Sequence, residues 1–178
     1  MSAAACGGGS STPSSGSNGP SVPQATTLPS SGTVQLPDHR IYTVAPLGHT
    51  LTLDDIALKI HVVRWRRSVA GAVATPGTAI FAIIEVSVTN RSSKTQKVGP
   101  TQIWLIDQAN QPFLASPLAK VARPVIGRPI APGKTFTGNL AYGLPRRFPG
   151  SLLVYRFADA DAIAHAKQVG VARYAPAK

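Results

Sequence analysis

From Ile41 onward the chain repeats a two-residue rhythm of apolar and polar positions. Ile56, Leu58, Ile60 and Val62 alternate with Ala57, Lys59, His61 and Val63. That is the period of an extended strand with one face turned to a core. The stretch AIFAIIEVSVTN starts fully apolar and then alternates, with Ile84, Val86 and Val88 inward and Glu85, Ser87 and Thr89 outward. Ile103 and Leu105 oppose Trp104 and Ile106. Phe136, Leu140 and Tyr142 share a side with Gly138, while Thr135, Thr137 and Asn139 take the other. Leu153, Tyr155 and Phe157 form a further row, and QVGVARYA is placed to close the sheet. Turn chemistry separates these runs at Ala74–Gly77, Asn90–Ser93, Asp107–Asn110, Ala131–Gly133 and Phe148–Gly150. About seven or eight short strands at such spacing predict an all-β, antiparallel sandwich with one wet face per sheet. DADAIAHAKQ is the one helix candidate, and it is short.

The first 37 residues break the rhythm. They are dominated by Ser, Gly, Pro and Thr and contain no charged side chain. Such a segment has too little apolar surface to offset its ordering entropy, so it is expected to be a disordered tether. Roughly thirty residues of this kind reach about 30 Å on average and about 100 Å when taut. The expected organisation is a remnant signal at 1–6, a linker at 7–37 and an immunoglobulin-like sandwich at 38–178. The whole formal charge of +11 then falls on the last segment, because the first charged residue is Asp38 and the first basic one Arg40. About 140 residues suffice for one core without staples. No run of eighteen apolar residues is present to span a bilayer as a helix.

The single cysteine, Cys6, has no disulfide partner. Ala3-Ala4-Ala5-Cys6 followed by Gly and Ser resembles the end of a bacterial lipoprotein signal, the lipobox. The resemblance implies a diacylglyceryl group on the Cys6 thiol and cleavage that makes Cys6 the new N-terminus. Each buried CH₂ contributes about 0.8 kcal/mol, and two or more chains anchor stably. The match departs from the lipobox in having Ala rather than Leu three positions before the cysteine, and only five residues precede Cys6. Three explanations of that departure stay open: a start further upstream, a clipped gene model, or a chance match. The implied location is the extracytoplasmic face of the membrane, lipid-anchored, or outside the cell.

A second resemblance spans about Leu47 to Phe157. FAIIEVSVTN with its polar turn, TQIWLID, IAPGKTFTGNLAYGLP and LLVYRF together are similar to a family of bacterial Ig-like domains of unknown function. These are called telokin-like and are related to a secreted mycobacterial immunogenic protein. The family implies a sandwich that is exported or lipid-anchored, and it brings no catalytic residues to transfer.

Little in the sequence points to catalysis. His39, His49, His61 and His165 lack metal-ligand spacing, and Glu85 is the only glutamate. No G-x-S-x-G elbow or phosphate-binding loop occurs. Asp159, Asp161 and His165 offer a metal-assisted hydrolase alternative, but without a fourth ligand they read first as an acidic helix start. The expectation is a binding module, not an enzyme, with no cofactor and no metal. The basic residues carry the stronger signal. Arg64-Trp65-Arg66-Arg67 follows a strand, Arg146-Arg147 precedes one, and RPVIGRP adds Arg123 and Arg128. Guanidinium forks suit phosphate or carboxylate, and an adjacent indole can stack. The expected partners are membrane lipid through Cys6 and an anionic envelope polymer or protein through the six residues of the first two clusters. Nucleic acid is not expected, since no RRM, KH or zinc pattern is present. The alternative is a secreted or intracellular binder of anionic polymers that carries no lipid. Trp104 reads as core packing, and oligomeric state is not legible.

Overall fold

The computed structural model describes residues 28–35, 39–72, 77–109, 111–148, 150–155 and 168–174. These residues build a β-sandwich and contain no helix. The strands are β1 Gly32–Gln35, β2 Ile41–Ala45, β3 Leu51–Thr52, β4 Ile56–Arg66, β5 Ile80–Asn90 and β6 Gln96–Lys97. They continue as β7 Ile103–Ile106, β8 Pro112–Leu114, β9 Pro129–Ile130, β10 Thr135–Leu144, β11 Gly150–Tyr155 and β12 Gln168–Tyr174. One sheet runs β1-β2-β12-β11-β7-β8, the other β10-β5-β4-β3, with a small β6-β9 ribbon beside them. Pairing is antiparallel throughout except between β12 and β2, which run parallel. The stretch expected to close the sheet therefore lies in its interior, between β2 and β11.

The main core fills the space between the sheets. Ala82, Ile84, Val86 and Val88 of β5 are fully buried and meet Leu105, Leu152 and Val154 from the facing sheet. A second cluster covers the outer face of the six-stranded sheet. Tyr42, Val44, Ile106, Val169 and Val171 are buried there, with Leu28, Val34 and Trp104 packed against them. Both faces of β7 are thus covered, as its opposed apolar pairs imply. Trp104 packs as expected, and its Nε1 donates to the Thr101 carbonyl at 2.7 Å.

Two expectations change. Gly32–Gln35, expected in the disordered linker, is strand β1 paired with β2. Arg173 Nη2 reaches back to the Pro29 carbonyl at 3.0 Å, so the fold begins before residue 38. Val34 supplies the apolar contact that makes this worthwhile. The second change is a bulge in β4. Ile60 pairs with Val86 but Val62 pairs with Glu85, leaving His61 as the extra residue. A bulge shifts a period of two by one residue. Val63 rather than Val62 is therefore buried, Trp65 turns toward the core, and Arg64 and Arg66 turn outward.

Asn90 is more than a turn residue. It is wholly buried. Its Oδ1 accepts from the Ser92 amide at 2.9 Å, and its Nδ2 donates to the carbonyls of Lys94 at 2.7 Å and Ile130 at 2.8 Å. One side chain thereby ties the end of β5 to β9 and closes its own turn. The Ala131–Lys134 turn behaves as its Pro-Gly pair requires, with Gly133 at φ 68° and the Lys134 amide donating to Ala131. Among the described residues no helix is long and apolar enough to cross a membrane. Cys6, the helix candidate apart from Gln168, and Asp159, Asp161 and His165 lie outside the described residues.

Candidate functional site

The outer face of the β10-β5-β4 sheet divides into two halves. One half is a ladder of hydroxyls. Thr89 Oγ1 and Thr135 Oγ1 lie 2.7 Å apart, Ser87 Oγ and Thr137 Oγ1 2.6 Å apart, and His61 Nε2 is 2.6 Å from Ser87 Oγ. The two hydroxyl pairs are direct cross-strand partners in the β5–β10 register, and His61 reaches Ser87 from β4. Polar pairs of this kind stabilise a wet sheet face without demanding burial.

The other half is roofed by two connections. The chain after β4 (68–72) meets the 115–125 segment, where the Lys120 amide donates to the Ala70 carbonyl at 2.7 Å. That segment also zips onto the free edge of β10. Ser116 N donates to Ala141 O, and Asn139 N donates to Arg123 O. Between roof and sheet lies a cleft of about 330 Å³, with Ile83, Arg64, Arg66, Lys120 and Asn139 on its walls. Arg64 Nη2 holds Glu85 Oε2 at 3.1 Å, across the sheet. Arg66 and Lys120 carry no acidic partner among the described residues. Three cations against one carboxylate leave the cleft positive.

The structure separates the six basic-cluster residues expected to act together. Arg64 and Arg66 share the cleft. Trp65, between them in sequence, points the opposite way and packs on the core. The Arg147 guanidinium sits over its ring, 5.8 Å from the centroid. Arg67 and Arg146 are exposed and lie outside the cleft. The indole is therefore a support for Arg147, not a platform beside Arg64. Lys120 and Asn139 escaped the sequence reading. Lys120 lies far along the chain from Arg66, and only the crossing of 115–125 over the sheet brings the two together.

A second groove, of about 610 Å³, opens where 123–129 leaves the β10 edge, between Arg123 and Arg128. No group of three or more His, Cys, Asp or Glu side chains suited to a metal occurs among the described residues. Two buried hydroxyls are perturbed. Burial, followed by the neighbouring Tyr174, pushes Tyr142 well above the ordinary tyrosine range. Burial, followed by Asp107, raises Tyr174 likewise. Tyr142 donates to the Ile103 carbonyl at 3.2 Å, which makes it a core tie between sheets, not a proton carrier.

The family model described as a domain of unknown function (DUF4352) matches residues 45–162. Among solved structures, the yjhA protein of Bacillus subtilis is similar, at 17% identity and TM-score 0.54, over 72% of this chain and 97% of that one. A candidate lipoprotein, ycdA of Bacillus subtilis, matches at 15% identity and TM-score 0.52 over 62% of this chain; the match spans 34% of that protein. The secreted protein MPT63 of Mycobacterium tuberculosis matches at 11% identity and TM-score 0.52, over 75% of this chain and 96% of that one. At such identities the likeness is one of fold. Among curated proteins none matches.

Proposed function

Because the chain belongs to the DUF4352 family, whose function is unknown, its activity has to be read from its own surface, and we propose that it is a lipid-anchored extracytoplasmic module that binds an anionic envelope polymer in the Arg64–Arg66–Lys120 cleft. The observation that carries the binding reading is the convergence of three cations from two distant segments on one cleft, with a single carboxylate in reply. A guanidinium pair at spacing i, i+2 on one strand face presents two forks in the same direction. Exposed cations of this kind select charge more than shape, and their attraction is screened by salt.

The anchor rests on the Ala3-Ala4-Ala5-Cys6 pattern and the Ser/Gly-rich stretch after it. The description of one fold relative as a candidate lipoprotein and another as secreted accords with it. The telokin-like resemblance points the same way. Leu28 lies on the outer face of the six-stranded sheet, whereas the cleft lies on the outer face of the other sheet. A chain held through residues ahead of Leu28 would present the cleft on the side of the sandwich away from its attachment. No catalytic role, cofactor or metal enters this reading.

Two measurements test it. Cys6→Ala should move the native, full-length protein from the detergent phase to the aqueous phase; identical partitioning of the two forms removes the anchor. Polyglycerol phosphate, a teichoic-type polymer, should bind the full chain in a salt-sensitive way, and Arg64→Ala with Arg66→Ala should weaken binding about tenfold or more. Equal binding by that double variant removes the cleft as the site.

A further inference from the structure

The larger groove has a construction that the cleft lacks. Arg123 occupies the left-handed region at φ 49°. A non-glycine residue there costs on the order of 1 kcal/mol or more unless its surroundings hold it. Here Asn139 holds it. Its backbone N–H donates to Arg123 O at 2.8 Å, its carbonyl accepts from the Val125 amide at 3.1 Å, and its Nδ2 donates to Ala122 O at 2.6 Å. Gly138 completes the clamp, because a Cβ at that position would overlap the Arg123 carbonyl oxygen. The mid-strand glycine of β10 is thus a site of close backbone approach. Its register with β5 runs unbroken, so it marks no bulge.

Arg128 is fixed just as firmly. Val125–Arg128 is a tight turn, with Arg128 N donating to Val125 O at 3.1 Å and Gly127 at φ 77° in the third position. The Gly127 amide ties the turn to Val98 O at 2.7 Å, and Val125 is fully buried beneath it. The Arg128 guanidinium lies over the Phe136 ring, 5.0 Å from the centroid. Neither arginine has an acidic partner among the described residues. Between them the groove is lined by Ile126 and Phe136 and by the hydroxyl-bearing Thr135 and Thr137. Its volume of about 610 Å³ falls in the range of small-molecule sites.

We infer that this groove binds a phosphate ester carrying an apolar portion, with the phosphoryl oxygens between Arg123 and Arg128 and the apolar portion along Ile126. Two guanidinium forks offer more donors than a carboxylate's two oxygens can use, and a tetrahedral phosphate uses them better. The apolar lining asks for more than the bare ion. A strained backbone that presents an arginine, where glycine would be free of strain, is what a binding role leaves behind. The residues that line this groove are not those that line the Arg64 cleft, and the inference does not depend on the lipid anchor.

The test is titration of the full chain, by calorimetry and amide NMR, with monomeric short-chain phosphatidylglycerol, inorganic phosphate and phosphatidylglycerol vesicles. The short-chain ester should bind more tightly than inorganic phosphate and shift the amides of 123–128 and 135–137. Arg128→Ala should weaken it about tenfold. Arg123→Gly should weaken it similarly while leaving the melting temperature unchanged or higher, because the strain leaves with the side chain. Arg64→Ala with Arg66→Ala should leave it untouched. Vesicle binding that Arg128→Ala abolishes assigns the source to a lipid headgroup; binding of the soluble ester alone assigns it to a free phosphate ester. Absence of binding by both ester forms, equal affinity for ester and inorganic phosphate, or affinity unchanged in both single variants overturns the inference.

Discussion

The two faces of β5 obey different rules. Its inward row, Ala82, Ile84, Val86 and Val88, has no solvent exposure at all. Its outward row, Ile83, Glu85, Ser87 and Thr89, is half-buried and meets hydroxyls, an imidazole and an arginine. The inward row is held by close packing, where a methylene matters. The outward row is held by pairwise contacts that water can partly replace. Stability is therefore concentrated on one face, and the other is left free to carry recognition.

The largest effect should come from the inward row. Ile84→Ala removes a fully buried side chain and is expected to cost about 2–5 kcal/mol in denaturant unfolding, whereas Ser87→Ala on the opposite face should cost about 1 kcal/mol or less. Equal costs would erase the distinction between the faces. Asn90→Ala comes next. It removes the amide that donates to the Ile130 and Lys94 carbonyls, of which Lys94 keeps the Ser92 hydroxyl, and should cost about 1–3 kcal/mol, with faster amide exchange in β6 and β9 as the local signature. Gly138→Ala forces the Arg123 segment off the β10 edge and should cost about 1–3 kcal/mol while abolishing the chemical-shift pattern of 122–125.

The buried hydroxyls give a smaller, pH-dependent contribution. Tyr142 and Tyr174 are raised in the folded state. Their neutral forms stabilise the fold fully below the unfolded tyrosine value of about 10, and this contribution is lost as pH climbs past it toward the folded-state values. Melting temperature should therefore fall above about pH 10, and Tyr142→Phe should make that fall shallower. A melting profile through that range unaffected by Tyr142→Phe would contradict the assignment. Smallest of all is the surface ion pair. Arg64 and Glu85 keep 46% and 30% side-chain exposure, so Glu85→Gln should alter stability by less than about 1 kcal/mol. The same change frees Arg64 and should tighten polyanion binding a few-fold by about the same energy; weaker binding would mean that Glu85 contributes to the site.

Strand positions were legible wherever one face is apolar. The rows of β5, β7 and β10 follow the alternation, and the Ala131–Lys134 turn follows its Pro-Gly pair. The bulge at His61 was not legible. One inserted residue leaves no mark in a strand whose flanking positions, Ile60, Val62 and Val63, are all apolar. For that reason the sequence suggested a single Arg-Trp-Arg-Arg surface where the fold makes two faces. β1 was hidden by its composition, because Gly32-Thr33-Val34-Gln35 pairs through its backbone and contributes one apolar contact. The cleft and the groove depend on long connections that run along the β10 edge. Such contacts join residues far apart in sequence, and no local pattern encodes them.

Polyanion binding by the full-length chain tests the central claim most directly. Titrated with polyglycerol phosphate at rising salt, the wild-type protein should bind, lose affinity as salt rises, and lose about tenfold or more when Arg64 and Arg66 are both alanine. Binding that is absent at low salt, or the same with and without those two guanidinium groups, would contradict it.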